Sequence, residues 1–313
     1  MRAARFYGPG DLRIEEVPEP RPGPGDVLVQ VEVALTDGTD LKTFRRGHPL
    51  LLSETPAPFG HEFCGFDVAT GKRVVAANSA PCGACPNCER SRETLCDNLL
   101  PLLNGAYAEL IVVPARVARV NLHPVPRTLA SEIAALVEPL ACALHILDVV
   151  DVEDMEVAVL GPGPMGMLLC ACLRDAGART VNIAGGSDER RTLATEFGAT
   201  PGDAQDADLV IEATGTAEGW QDAVRAVRRG GTVVFFSGIP RDVELDANRL
   251  HYDELTMKGA FHHTPKTVRG ALTFLASGAR PWEKLLTHDV SLEQLPALFA
   301  DPPPGYLKAI VRP

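Results

Sequence analysis

The sequence predicts an α/β protein in two parts, and three observations predict it. Short alternating apolar runs punctuated by Pro and Gly occupy residues 1 to about 125, the signature of a small antiparallel barrel or sandwich. Further along, strand and helix patterns alternate strictly, which specifies a doubly wound parallel sheet with helices on both faces. A glycine fingerprint, Gly161-Pro-Gly163-Pro-Met-Gly166, falls at the first strand-to-helix junction of that alternation.

The chain has 313 residues, 45% hydrophobic and 23% charged, which suits two domains and excludes disorder for most of its length. Thirty basic against 41 acidic residues leave a net charge of -11, which excludes nucleic acid and an anionic membrane surface as partners. No apolar run reaches the roughly 18 to 20 residues of a spanning helix, and the start MRAARFYGPG lacks the apolar core of a signal peptide. These features predict a cytoplasmic protein.

In order along the chain, VLVQVEVAL (27 to 35), KRVVAA (72 to 77) and AYAELIVVP (106 to 114) read as strands of the first part. The stretch TLASEIAALVEPLACALHILDVV (128 to 150) reads as a long helix that Pro139 interrupts or kinks. The alternation then runs EVAVLG strand, PMGMLLCACLRDAG helix, TVNIAG strand, SDERRTLATEFGA helix, ADLVIEATG strand, GWQDAVRAVRRGG helix and TVVFFSG strand. Two helical stretches follow, TPKTVRGALTFLASG and SLEQLPALFADP, and GYLKAIVRP closes the chain as a strand that rejoins the first part.

The fingerprint follows a strand and opens a helix, the context that gives each glycine work. Gly161 makes the tight turn, Gly163 lets the backbone approach a pyrophosphate, and Gly166 allows close helix packing; Pro164 and Met165 complete the cofactor loop. A carboxylate at the end of the second strand would bind the ribose of NAD, but this chain has Gly185 there, followed by Gly186, Ser187, Asp188, Glu189, Arg190 and Arg191. Without that carboxylate nothing repels a 2′-phosphate, and Ser187 with Arg190 or Arg191 suits one, so NADP is favoured over NAD. Asp188 serving as the acid one turn late is the alternative. Thr214, Gly215, Ser237 and Gly238 end sheet strands on the side where the nucleotide lies.

Four of the eight cysteines, Cys82, Cys85, Cys88 and Cys96, fall within fifteen residues on a Gly- and Pro-rich loop. Four thiolates spaced by two, two and seven residues make a closed tetrahedral set, read as a structural zinc site; an iron–sulfur cluster also takes four cysteines, but no other redox feature supports it. Cys64, Cys142, Cys170 and Cys172 sit in apolar surroundings and read as core.

A glycine fingerprint behind a β-rich half with a four-cysteine lobe resembles the zinc-dependent medium-chain dehydrogenase/reductase family. The resemblance extends over DGTDLK (37 to 42), PAPFGHEFCG (56 to 65), GAYAEL (105 to 110) and VEPLACALH (137 to 145), the last being most similar to the polyol and sugar dehydrogenase branch. It implies a GroES-like catalytic domain from residues 1–139 and 263–313, with the zinc lobe at 82–96, and a Rossmann domain over 140–262. It also implies a homodimer or homotetramer and a small alcohol or ketone substrate.

The resemblance further implies a second, catalytic zinc. Its ligands carry over as His61 and Glu62 and, directly or through water, Glu138, while Asp37 stands where the family has cysteine. Thr39 is implied as the proton-relaying hydroxyl and Asp40 as the group that orients His61; Lys42 stands where some relatives end the relay with histidine. Exchanging sulfur for oxygen hardens the ligand set and lowers its selectivity for zinc. Phe261, His262 and His263 are candidates to approach the nicotinamide, whereas His48 and His145 read as a loop and a core histidine. The implied activity is hydride transfer between a secondary alcohol of a polyol, sugar or cyclitol and NAD(P). A metal-independent reductase of the same superfamily and a non-catalytic nucleotide-binding protein remain as alternatives.

Overall fold

The computed structural model describes residues 1–48, 52 and 54–313. The chain divides into two compact units, Met1–Glu138 with Thr264–Pro313, and Pro139–His263. Among the described residues no helix is long and apolar enough to cross a membrane.

The first unit is built on a mainly antiparallel seven-stranded sheet, with a three-stranded sheet beside it. Its spine is the strand Val27–Leu35, whose odd-numbered side chains from Val29 to Leu35 are buried while Gln30 and Glu32 face outward. That alternation is the period of two that a half-buried strand requires. The spine pairs with Glu62–Asp67, with Leu110–Val113 and with the chain's last strand, Lys308–Arg312. The C-terminus thus completes the sheet that the N-terminal half begins.

A cluster of rings fills this core. Phe6 stacks on Phe59 at 5.4 Å, and Phe59 meets Phe299 and Tyr107 edge-on, both at 5.9 Å. Each such pair contributes about 0.5–1.5 kcal/mol beyond the area it buries. Two glycines make the packing possible. Gly60 has φ +86°, and a Cβ there would meet the Tyr107 ring at 2.6 Å. On Gly65 a Cβ would meet the Gln30 carbonyl at 2.1 Å, in the rung opposite Val31.

The helix Gly38–Arg46 interrupts the β-rich half and is not evident from its hydrophobic pattern. Its signal lies in its cap: Asp37 accepts from the Asp40 amide and Asp40 returns a bond to the Asp37 amide, a reciprocal capping box.

The second unit is a six-stranded parallel sheet ordered Thr200–Pro201, Thr180–Ala184, Glu156–Leu160, Ala207–Glu212, Val227–Phe235 and Thr256–Gly259. In chain order this is 3-2-1-4-5-6, the Rossmann arrangement. The two-part α/β architecture, a GroES-like unit and a Rossmann unit, is therefore present.

Two elements depart from the sequence expectation. The stretch 128 to 150 forms three short helices, Ser131–Ala134, Val137–Leu144 and Ile146–Val149, rather than one kinked helix. Pro139 lies in the first turn of the middle one, where its missing N–H costs nothing. The helix expected over 219 to 231 ends at Ala226, and Arg228–Gly231 join the strand Val227–Phe235, whose pairing shifts register there and whose Gly230 takes φ +69°. A glycine pair followed by a β-branched run favours the strand.

Gly65→Ala is expected to lower the unfolding free energy by about 3 kcal/mol or more, because backbone blocks the new methyl; equilibrium denaturation checks this.

Candidate active site and metal centres

The cysteine lobe is the simplest site. The sulfurs of Cys82, Cys85, Cys88 and Cys96 all lie within 4.8 Å of one another. Cys82 to Cys88 is 4.0 Å and Cys85 to Cys96 is 3.9 Å. Bonds of about 2.3 Å in a tetrahedron require sulfurs roughly 3.8 Å apart, so the set fits zinc. The loop backbone donates to the sulfurs: the Cys82 and Asn98 amides to Cys96 Sγ, the Ala84 amide to Cys82 Sγ, and the Asp97 amide to Cys85 Sγ. The Ala84 amide and the Asn98 side chain pull the Cys82 thiol down to about 6, which favours the ligating thiolate. Leu99 and Leu102 pack beneath the lobe.

Of the remaining cysteines, Cys64, Cys170 and Cys172 are buried and Cys142 is half-buried. Burial pushes the Cys64 thiol up to about 12, as expected of core cysteine.

The second constellation lies inside the first unit. One donor atom each from Asp37, His61 and Glu62 lies within 4.8 Å of the other two. His61 Nε2 faces Asp37 Oδ2 at 3.7 Å, and His61 Nδ1 faces Asp40 Oδ1 at 3.3 Å. The imidazole is thus held between two carboxylates from one turn of helix. The capping box explains the precision: Asp37 Oδ1 is taken by the Asp40 amide at 2.7 Å, which leaves Oδ2 for His61. Asp40 in turn accepts the Tyr107 hydroxyl, and Gly60 makes room for that ring.

The electrostatics of the cluster are those of a cation site. Burial opposes the His61 charge, but Asp40 and Asp37 outweigh it and hold the imidazolium well above the usual histidine range. Burial pushes Asp37 up, and the His61 and Lys308 charges return it below its ordinary value. Burial, reinforced by Asp37, raises Asp40. Carboxylates crowded around one imidazole at low dielectric require positive charge between them. The donor set fits a divalent cation, with oxygen in place of the usual thiolate. Loading such an ion would displace the His61 proton, so binding tightens as pH rises.

Glu138 is buried near the start of the helix Val137–Leu144, and its charge raises both His61 and Glu62. Its carboxylate is not among the Asp37–His61–Glu62 set of donors. Thr39 is half-buried in the first turn of the same helix as Asp40, and its hydroxyl helps to lower the Asp37 carboxyl.

Sequence reasoning missed Lys308. Its side chain is 1% exposed, and its ammonium lies 2.8 Å from both oxygens of the fully buried Glu62. It also donates to the Thr36 carbonyl at 2.9 Å. Thr36 is fixed from the same terminal segment, accepting from the Tyr306 hydroxyl and the Ala309 amide, both at 2.7 Å. Burial pushes the Lys308 ammonium down, yet Glu62 and Asp37 raise it above its ordinary value. The available signal was a lone charge inside the apolar strand LKAIV.

In the second unit Gly163 caps the helix Pro164–Asp175, with Pro164 in its first turn and Met165 after it. Gly161 takes φ +108°, and a Cβ on Gly166 would meet the Gly161 carbonyl at 2.0 Å, so no larger residue fits there. Gly185 and Gly186 take φ +83° and +59° after the strand Thr180–Ala184. Ser187 caps the next helix by accepting the Arg190 amide at 3.4 Å. The Arg191 guanidinium donates to the Gly185 and Gly186 carbonyls, both at 2.8 Å, and pairs with Asp188. These bonds staple the turn that follows the strand Thr180–Ala184. Thr214 and Gly215 form the turn after Ala207–Glu212, and the Ser237 carbonyl, beside Gly238, accepts the Trp220 indole at 3.1 Å. Phe261 is half exposed and stacks on His262, which takes φ +66°.

A Rossmann unit with a complete phosphate-binding turn, joined in one chain to a GroES-like unit with a closed cysteine lobe, defines an NAD(P)-dependent oxidoreductase. Comparison with known proteins makes this specific. Residues 23–127 match the family described as alcohol dehydrogenase GroES-like domain, and residues 164–277 match zinc-binding dehydrogenase. L-threonine 3-dehydrogenase of Xanthomonas campestris pv. campestris is 30% identical over 309 residues, covering 90% of each chain. A putative zinc-binding dehydrogenase from Sinorhizobium meliloti 1021, solved bound to NADP, is 32% identical with a TM-score of 0.88, over 100% of this chain and 99% of the other. 2R,3R-butanediol dehydrogenase from Bacillus subtilis is 26% identical with a TM-score of 0.86, over 100% and 99%. The chain belongs to the zinc-binding medium-chain dehydrogenase/reductase family, in its polyol and sugar dehydrogenase branch.

Removing the Lys308 charge strands Glu62 in the core, so Lys308→Met is expected to cost about 3–5 kcal/mol of stability. Lys308→Met with Glu62→Leu, which removes both charges, is expected to recover most of the loss in the same urea titration.

Proposed function

We propose that the chain is a dehydrogenase that interconverts a secondary alcohol and a ketone on a polyol, sugar or cyclitol, with a divalent metal at Asp37, His61 and Glu62 and with NADP preferred over NAD. The observation that carries this reading is the gathering of those three donors within 4.8 Å in a buried, histidine-centred set. A divalent cation there supplies a Lewis acid for the substrate oxygen, and the nicotinamide supplies the hydride acceptor.

The rest falls to the chain's own residues. Asp40 fixes the tautomer and tilt of His61 through Nδ1, leaving Nε2 toward Asp37. Thr39 takes the hydroxyl proton and passes it outward, its own hydroxyl oriented by Asp37. Lys308 anchors Glu62, and Glu138 adds negative charge at longer range. Gly185 in place of a carboxylate, with Ser187 and Arg190 beside it, supports NADP, as does the S. meliloti relative that carries it.

Both the threonine 3-dehydrogenase and the butanediol dehydrogenase are named for substrates oxidised at an interior carbon, in keeping with a secondary alcohol. We place the enzyme in the cytoplasm, where clustered thiols hold zinc rather than pair as disulfides, and as a homodimer or homotetramer.

A screen of polyols, sugars and amino alcohols with each cofactor tests the reading. Turnover is expected on secondary alcohols, faster with NADP. Thr39→Val is expected to lower kcat about 10²–10⁴-fold while leaving cofactor binding unchanged. Turnover confined to activated double bonds, or a fully active Thr39→Val, contradicts it.

A further inference from the structure

We propose that Glu212 is a positioning residue for the cofactor, its buried carboxylate shaping the Thr214–Gly215 turn that seats against the phosphate-binding loop. The proposal rests on the reading of the second unit as the dinucleotide site. Glu212 ends the fourth strand of the Rossmann order, Ala207–Glu212, and is fully buried. Neither the fingerprint nor any expected ligand accounts for a carboxylate there.

Its hydrogen bonding is lopsided. Oε1 accepts three donors, the Thr214 amide and hydroxyl at 2.6 Å each and the Gly215 amide at 2.8 Å. Oε2 has no hydrogen-bond partner among the described residues. Three short donors converge on this one oxygen. The turn is thereby folded back onto the strand that leads into it.

The bonds continue outward. The Thr214 and Thr216 hydroxyls are 3.0 Å apart, and Thr216 accepts the Gly219 amide as the cap of the helix Ala217–Ala226. Gly219 has to be glycine, because a Cβ would meet Thr214 Oγ1 at 2.1 Å and Glu212 Oε1 at 3.0 Å. On the other side, the Ala213 amide donates to Leu160 at 2.9 Å, and a Cβ on Gly161 would meet the Ala213 carbonyl and Thr214 Cγ2 at 3.1 Å each. Thr214 thus forms the wall against which the first fingerprint glycine turns. One buried carboxylate sets the position of that wall, and with it the path of the phosphate loop.

Glu212→Gln separates charge from shape. The amide oxygen is a weaker acceptor for three donors, and its NH₂ group enters the pocket where Oε2 finds no partner. Direct fluorescence titration with NADP and with NAD is expected to show dissociation constants raised about tenfold or more for both, as for loss of a charge-assisted hydrogen bond. With saturating cofactor, kcat and the alcohol KM are expected to stay within about twofold, a split that general destabilisation of the enzyme would not produce. Unchanged affinity for both dinucleotides, or a fall in kcat without a change in affinity, overturns the proposal. If Glu212→Gln does not fold, Glu212→Asp decides: it keeps the carboxyl group but withdraws it from the turn by one methylene, so weaker cofactor binding supports the proposal and unchanged binding overturns it. A wild-type chain that binds neither dinucleotide overturns the underlying reading as well as the proposal.

Discussion

The first unit depends on one burial problem: the buried carboxylates Asp40 and Glu62, the partly exposed Asp37, a buried imidazole and a buried ammonium crowd together. Isolated charges there would be prohibitive, and each is tolerated because another faces it. Lys308 neutralises Glu62 and ties the last strand to the strand Glu62–Asp67, two elements 246 residues apart in sequence. His61 lies between Asp37 and Asp40, which the capping box fixes on one helical turn. Sheet closure, helix start and site geometry are therefore one electrostatic arrangement. A divalent ion fits because it supplies positive charge where the carboxylates converge.

The replacement of cysteine by Asp37 gains meaning from this arrangement. A thiolate at that position would have a single sulfur for both the metal and the Asp40 amide, whereas Asp37 takes that amide on one oxygen at 2.7 Å and keeps the other toward His61. The cost is a harder and less zinc-selective ligand set, in contrast to the four-sulfur lobe of the same chain.

Much of the fold was legible because its signals are local. Strand and helix alternated in hydrophobic period, and a glycine fingerprint at the first junction fixed which strand leads the Rossmann order. Boundaries were less legible where local signals conflict: Pro139 reads as a breaker but sits without cost in a first turn, and Arg228–Gly231 read as a helix end but join a bulged strand. The clustered cysteines stood out by type and spacing, whereas His61 and its acidic neighbours were reached only through the family resemblance. Lys308, Tyr107 and Glu212 were not legible, since each acts through a partner that only the folded chain brings near. The bonds of Arg191 to the Gly185 and Gly186 carbonyls were equally illegible, since they depend on the left-handed turn that the two glycines make.

In the proposed reading Asp37, His61 and Glu62 form a second metal site, distinct from the cysteine lobe. Metal analysis of the purified chain beside Asp37→Ala tests it most directly. The account predicts two divalent ions per wild-type chain and one in the variant, the remaining ion being zinc held by Cys82, Cys85, Cys88 and Cys96. One ion per chain in both proteins, after incubation with zinc, cobalt or manganese, would contradict it.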